Sequence, residues 1–572
     1  MIETKGLTGA EAFLQVLGRM GIEYIFASPG SEWAPVWESL AKPRSQDEAV
    51  PRYLSSRHEE IAVGMASGYA KATGKLPAVM IHTTVGSLHA AMALRGALHE
   101  QIPMVVFAGE SIAFGDDESP DPGAQWLRHL ADIGGPARLV DRCVKWSMGV
   151  NTKAILPSTV QRACQLAMVS PRGPVFVSLP MEFLFDTMTT NAPEASGFPR
   201  PPVANLGGID ELARMLAEAE NPIIITEEAG RSVGAVKALV EVAEHLGMPV
   251  VETWSTTYVN FPRTHPLHGG VDPKAYLRDA DLVLLVGAVE PWHPPSAGPR
   301  AGVKVVALDE NPLRSDLPYW GYQVDLCLTG EVESSLTQLL ERLRTRIPRG
   351  DRARAARAER WHKRHVERKQ AWKEEALALK ARKPIDTRWV AHELNQVLPP
   401  DAMVVEETIT HRMALHRYLD HLGPGTFFCG ANGGLGTGLG TALGVKAAAP
   451  ERPVLALIGD GSFNYNPVLA AFGAAQEFGM PILIVLFNNH GYLSQKAGLP
   501  KYYPEGWAMR TKIFVGTSIA PAPGYAAVAR AFDGYGERVE EPGQVRPALE
   551  RGLKEVAAGR VALIDVWLEP VN

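Results

Sequence analysis

The sequence predicts an α/β protein built from three consecutive parallel-sheet α/β domains. Two observations carry that prediction: short apolar runs alternate with helical patterns along all 572 residues, and two composition breaks divide the rhythm into three blocks. A chain of this length also exceeds what one hydrophobic core supports.

The first block, 1–190, holds the runs IEYIFASPG, PAVMIHTT and IPMVVFAGE, separated by helical patterns such as EEIAVGMASGYAKAT. A Pro-rich, weakly periodic stretch, NAPEASGFPRPPVANLGG (191–208), then reads as a linker. The second block, 206–345, repeats the pattern in NPIIITEEAG, MPVVETWST, ADLVLLVGA and VKVVALDENP. A charged segment, 346–385, carries both signs at helical spacing, so a solvated connecting helix outweighs a nucleic-acid patch. The third block, 386–572, returns to strands in AMVVEE, PVLALIGDGS, MPILIVLFNN and VALIDVWLEP. The first and third blocks share this logic without an obvious sequence repeat.

Apolar residues make up 46% and charged residues 21%, with a net charge of -6, so no basic field invites nucleic acid. Cys143, Cys164, Cys327 and Cys429 lack CxxC spacing, which indicates neither a disulfide framework nor a zinc site and fits a reducing cytoplasm. No apolar run is long enough to span a bilayer, and the first residues do not read as a secretory signal; a cytoplasmic protein is expected.

The chemistry concentrates where two predicted strands end. PVLALIGDGSF delivers Gly459, Asp460, Gly461 and Ser462 to the carboxyl edge of a sheet, and MPILIVLFNNHGY delivers Asn488, Asn489, His490, Gly491 and Tyr492 beside them. Ligands of doubly wound sheets bind at that edge. Carboxylate, amide and carbonyl oxygens suit a hard ion that also holds phosphate. An isolated GDG reads as a plain strand-to-helix turn; the downstream NN after a second apolar strand argues against that. In EETITHR, Thr408 and Thr410 offer hydroxyls, with a turn or helix cap as the competing reading.

Together GDGSFNYNP and LIVLFNNHGY resemble the cofactor motif of the thiamine-diphosphate enzymes, the superfamily of pyruvate decarboxylase, benzoylformate decarboxylase and acetohydroxyacid synthase. The resemblance implies thiamine diphosphate and Mg²⁺ as cofactors, with Asp460, Asn489 and the Gly491 carbonyl on the metal. Gly461 and Ser462, with Thr408 and Thr410, would meet the diphosphate. SSRHEEIAVGMASGYAKATGK is similar to the pyrimidine-binding motif and puts Glu59 at the position that activates the cofactor; acidic residues in a first helical turn are the simpler explanation, and it suits Glu60 better. CGANGGLGTGLGTALGVKAA resembles the segment that supports the bent cofactor, a role falling on Leu435, with the Gly433 carbonyl accepting from the cofactor's amino group. Gly-rich helix packing competes as the explanation of the glycines. The three domains are then pyrimidine-binding, central and diphosphate-binding, and the site forms between subunits of a homodimer or homotetramer.

On the substrate side, Ser31 in SPGSEW, His82 in MIHTTVGS and His293 in VEPWHPP sit in contexts similar to benzoylformate decarboxylase. A serine suits a substrate carboxylate, and histidines suit proton transfer; a helix cap for Ser31 and structural histidines are the alternatives. The reaction this implies is non-oxidative decarboxylation of a small-molecule 2-oxo acid to an aldehyde through an enamine. A carboligase of the acetolactate synthase kind shares every residue named. A catalytically silent assembly or regulatory member of the fold is a third possibility. No glycine fingerprint for a nucleotide appears in the central block. The segment KAGLPKYYPEGWAMRTKIFVGTSIAPAPGY (496–525), with Tyr502, Tyr503 and Trp507, reads as either a lid or a surface loop with buried aromatic anchors.

Overall fold

The computed structural model describes residues 6–42, 50–116, 118–188, 197–347, 350–420, 422–429 and 433–571; part of the proposed linker, 191–196, lies outside them. Among the described residues every strand pairing within the three sheets is parallel. The first sheet holds β1 (Tyr24–Ser28), β2 (Arg52–Ser55), β3 (Ala78–Ile81), β4 (Met104–Glu110), β5 (Trp146–Gly149) and β6 (Pro174–Pro180), in the order β2-β1-β3-β4-β6-β5. The second holds β7 (Pro222–Thr226), β8 (Val250–Val251), β9 (Leu282–Val286), β10 (Lys304–Asp309) and β11 (Leu326–Thr329), in the order β11-β10-β9-β7-β8. The third holds β12 (Met403–Glu407), β13 (Phe427–Cys429), β14 (Val454–Gly459), β15 (Leu483–Asn488), β16 (Tyr535–Val539) and β17 (Ala562–Trp567), in the order β13-β12-β14-β15-β17-β16.

The central strands are continuous apolar runs because helices cover both faces of each sheet. β4, β7, β9, β14 and β15 are buried along nearly their whole length. The first and third sheets repeat one strand order, so the shared logic of their sequences is a shared topology. In each, the order reverses between the first and third strands, and the loops leaving those strands bound a crevice suited to a ligand. Those loops carry Ser31 and His82 in the first sheet and Thr408 and Asp460 in the third.

The chain packs as two compact units, one of Met1–Arg200, Ala431–Pro450 and Asn466–Met480, the other of Pro201–Gly430, Glu451–Tyr465 and Pro481–Asn572. In the first unit, helix Glu59–Thr73 crosses helix Gly438–Ala448 at backbone contact. A Cβ on Gly444 would lie 1.9 Å from the Met65 carbonyl oxygen, and one on Gly68 would lie 2.0 Å from that of Thr441. The later glycines of the Gly-rich segment are therefore packing residues. In the second unit the charged segment forms helix Arg352–Ala378, capped by Asp351, whose side chain accepts from the Arg354 amide. Most of its charges face solvent, but Arg357 is buried and donates to the Glu220 carbonyl at 2.7 Å, which docks the helix.

Candidate active site

Adjacent strands β14 and β15 bring the two expected ligand loops together, with Gly459 paired to Phe487. Asp460 follows β14 directly and opens helix Asp460–Tyr465. Its carboxylate is buried; Oδ1 accepts from the Gly461 amide at 2.8 Å and Oδ2 from the Gly491 amide at 3.0 Å. Gly461 has no room for a side chain, since a Cβ would come within 2.8 Å of the Tyr492 ring, and a Cβ on Gly491 would strike the Thr517 carbonyl at 2.2 Å. Behind the second loop, Asn488 donates to Asp565 at 2.9 Å, and His490 takes the left-handed conformation, φ +59°, that turns the chain toward Asp460.

Asn489 completes the cluster. Its amide oxygen faces the Gly491 carbonyl and Asp460 Oδ1, while its NH₂ meets His411 Nε2 at 3.3 Å. Turned half a revolution, the NH₂ would donate to those two oxygens, at 2.8 and 3.2 Å, and the oxygen would accept from His411. Three oxygens facing one another repel unless a cation lies between them, and carboxylate, amide and carbonyl are the donors a hard divalent ion takes. Burial, only partly offset by its amide hydrogen bonds, pushes the Asp460 carboxyl up to about 6. Burial disfavours the charged form of this carboxyl, and an adjacent cation would favour it. The residues present fit a divalent cation.

The loop after β12 lies on the other side of the crevice. Glu406 is fully buried; burial would raise its carboxyl, but the Arg412 charge and the Thr408 bonds hold it below the usual range. Thr408 is spent on it, donating to Glu406 Oε1 from both N–H and Oγ1 at 2.5 Å. Ile409 is forced to φ +56°, a costly conformation for a β-branched residue. The chain thereby leaves Thr410 exposed and puts His411, buried, beneath Asn489. Of the two threonines, Thr410 keeps the open hydroxyl. Burial pushes the His411 imidazole down to about 4; Nδ1 pairs with Thr387 Oγ1 at 2.8 Å, and Phe487 stacks on the ring.

In the first unit, Glu59 is the first residue of its helix and His58 the cap, with His58 Nδ1 accepting from the Glu60 amide at 3.1 Å. The Glu59 side chain is 12% exposed. Gly86 gives it room, since a Cβ there would sit 3.0 Å from Glu59 Oε1. His89 Nδ1 lies 3.2 Å from Glu59 Oε2. Ligand atoms of His58, Glu59 and His89 lie within 4.8 Å of one another, but the cap and the His89 bond satisfy them without an ion.

Ser31 begins a 3₁₀ turn whose cap position is Gly30, so it is not the cap, and it is exposed. Gly30 lies flat against His82; a Cβ there would meet His82 Nδ1 at 2.1 Å. Glu32, which sequence reasoning did not single out, is buried and receives His82 Nδ1, 2.9 Å from each carboxylate oxygen. Gly109 makes space for it, because a Cβ would strike Glu32 Cγ at 2.0 Å. Burial lowers the His82 pKa, but the Glu32 hydrogen bonds and the charges of Glu32 and Glu59 outweigh it, and the imidazole stands above its ordinary value. Trp126 packs edge-on against the ring.

Gly433 is exposed with φ +72°, and Leu435 is half-buried. His293 is 70% exposed, with Nδ1 3.3 Å from Glu290. It lines a cavity of ≈ 750 Å³ in the second unit with Trp254, Trp292, Arg368, Trp372 and Arg417.

Comparison with known proteins decides what this arrangement belongs to. Residues 7–120 match the thiamine pyrophosphate enzyme N-terminal TPP binding domain, 209–339 the central domain and 408–566 the C-terminal TPP binding domain. The chain belongs to the thiamine pyrophosphate enzyme family. It is 28% identical to benzoylformate decarboxylase of Pseudomonas aeruginosa, over 98% of this chain and 99% of that protein. It is 25% identical to the acetolactate synthase isozyme 3 large subunit of Escherichia coli, over 98% and 95%. The solved structure of benzoylformate decarboxylase from Polynucleobacter necessarius superposes with a TM-score of 0.79 at 21% identity, covering 99% of each chain.

This thiamine-diphosphate enzyme also exposes an apolar surface next to the Asn489 loop in sequence. Within 496–525, Tyr502, Tyr503, Trp507, Ile513 and Val515 face solvent, while Tyr525 at its end is buried edge-on against Phe463 and anchors the segment there. Among the described residues no helix is long and apolar enough to cross a membrane.

Proposed function

We propose that this enzyme is a Mg²⁺-dependent, non-oxidative 2-oxo-acid decarboxylase that releases an aldehyde. The observation that carries the reading is the Glu32–His82 pair beside exposed Ser31: a histidine whose hold on its proton a buried carboxylate strengthens, next to a hydroxyl that suits a carboxylate. Near full-length likeness to a benzoylformate decarboxylase supports it.

Thiamine diphosphate, when bound, supplies the carbon that adds to the 2-oxo carbonyl and the ring that takes up the electrons left by CO₂. Asp460, the Asn489 amide oxygen and the Gly491 carbonyl hold Mg²⁺. Gly461, Ser462 and Thr410, with Thr408 behind it, receive the diphosphate. Glu59 holds a proton at the pyrimidine nitrogen, the Gly433 carbonyl accepts from the amino group, and Leu435 supports the bend. Ser31 donates to the substrate carboxylate. His82, fixed through Nδ1, presents Nε2–H as the acid that protonates the carbon freed of CO₂. His293 serves the product side. The segments 1–190, 206–345 and 386–572 act as pyrimidine-binding, central and diphosphate-binding domains. Two subunits pair as a dimer, or twice over as a tetramer, so that Glu59 works with the partner subunit's Asp460.

A CO₂-release screen over aliphatic, aromatic and acidic 2-oxo acids, with and without acceptor aldehydes, tests the reading. Release that requires an acceptor or a second 2-oxo acid would make the enzyme a carboligase, and binding of cofactor without turnover of any substrate would favour the silent alternative.

The acid role also predicts a pH profile. His82 is raised, so it holds its proton to higher pH than an ordinary histidine, and the pair's contribution to stability, full below the ordinary value, is lost as pH rises through the raised one. Glu32→Gln is expected to move the alkaline limb of kcat/KM to lower pH, while His82→Ala costs about 10²–10⁴-fold in kcat. An unmoved limb in Glu32→Gln would remove His82 as the acid.

A further inference from the structure

We infer that His411 is a positioning residue that sets the Asn489 amide for the metal and exchanges one tautomer for the other when the ion binds. This rests on the reading of Asp460, Asn489 and Gly491 as metal ligands. Asn489 has two orientations in which its hydrogen bonds are satisfied, and His411 is the group that distinguishes them.

With no ion, the Asn489 NH₂ donates to Gly491 O and Asp460 Oδ1, and its oxygen needs a donor, which is His411 Nε2–H. The His411 Nδ1 lone pair then accepts from the Thr387 hydroxyl. With an ion between the oxygens, the amide turns over and its NH₂ needs an acceptor, which is the His411 Nε2 lone pair. Nδ1–H then donates to Thr387 Oγ1. Between the two states one proton leaves Nε2 and one joins Nδ1, the Thr387 hydroxyl reverses from donor to acceptor, and no net proton is taken up. A neutral imidazole, with one N–H and one lone pair, and a hydroxyl that both donates and accepts are the groups able to serve both states.

The surroundings hold His411 to this task. Phe487 of β15 stacks on the ring at 5.8 Å between centroids. Ile409, at φ +56°, bends the chain so that the residue two places on lies under Asn489 rather than facing solvent. Hydrogen-bonded partners of metal ligands of this kind change metal affinity about 10–100-fold when removed.

The test uses the full-length protein with Mg²⁺ and thiamine diphosphate as probes. In protein labelled with ¹⁵N-histidine, addition of both is expected to exchange the protonated and unprotonated nitrogen shifts of His411, assigned by their loss in His411→Gln. Calorimetry is expected to show Mg²⁺ affinity, at saturating thiamine diphosphate, falling about 10–100-fold in His411→Leu. It should fall only a few-fold in His411→Gln, whose amide can both donate and accept. Mg²⁺ binding lost in Asp460→Ala but intact in His411→Leu, or His411 shifts that the ion does not exchange, would overturn the role of His411 alone. Mg²⁺ binding unaffected by Asp460→Ala would overturn the metal anchor and this inference with it. The shifts of the unsubstituted protein decide the matter even if His411→Leu fails to fold.

Discussion

Glu59→Gln is expected to yield a folded protein that binds thiamine diphosphate and Mg²⁺ but no longer exchanges the cofactor's thiazolium C2 proton, with turnover lower by about 10²–10⁴-fold. Glutamine fills the same volume against Gly86, and its amide oxygen can still accept from His89, so neither the helix start nor the packing around it is disturbed. What it lacks is a carboxyl proton to share. The Glu59 side chain is largely withdrawn from water, so solvent cannot readily supply that proton in its place. Deuterium exchange at C2, followed by proton NMR in quenched samples, measures the step directly, and calorimetry confirms that the cofactor is bound. Exchange at the unsubstituted rate with cofactor bound would remove Glu59 from the activating role.

Legibility of the fold in the sequence follows burial. Central strands such as β9, LVLLV, and β14, VLALIG, are buried on both faces and stand out as apolar runs. The edge strands β2, RYLS, and β16, YGERV, are half-exposed and carry charges, so no such run marks them. The same physics divides the site. Asp460 and Asn489 each follow a long apolar strand and fall into a motif, so their proximity can be anticipated. Glu32 follows Ser31 directly in SPGSEW, yet a lone acidic residue in a turn carries no sign that two glycines, Gly30 and Gly109, make room for it and its histidine. His411 was likewise in view in EETITHR. Its role depends on a positive φ at Ile409 and on a hydrogen bond spanning 78 positions of sequence, neither of which periodicity or composition encodes. The glycines of 433–444 show the converse: one Gly-rich segment reads as a single feature, but Gly440 and Gly444 serve helix packing, while Gly433 lies at an exposed turn.

Asp460→Asn is expected to separate two quantities that usually move together, abolishing the cofactor's stabilising effect while leaving the ion-free protein as stable as before or more so. In the ion-free fold the Asp460 carboxyl stands at about 6 against an ordinary 3.8, with burial the largest cause. A carboxyl whose folded pKa is raised weakens the fold above that pKa, because the native state disfavours the charge that neutral pH imposes. At pH 7 the cost is on the order of 2–3 kcal/mol. Asparagine removes the charge but presents an NH₂ to one of the two amides, Gly461 or Gly491, that Asp460 now satisfies, which returns about 1–3 kcal/mol of that gain. The two effects nearly cancel. With Mg²⁺ saturating and thiamine diphosphate at about 100 times its dissociation constant, the cofactor should add about 2.7 kcal/mol to the unsubstituted protein and almost nothing to Asp460→Asn. Chelating the metal should bring the unsubstituted protein down to the same baseline. Thermal melts of both proteins, with and without Mg²⁺, cofactor and chelator, read all of these values. A ligand-induced shift that survives in Asp460→Asn would place the metal elsewhere, and a large loss of stability in the ion-free variant would mean that the buried carboxylate holds the fold together instead of waiting for a cation.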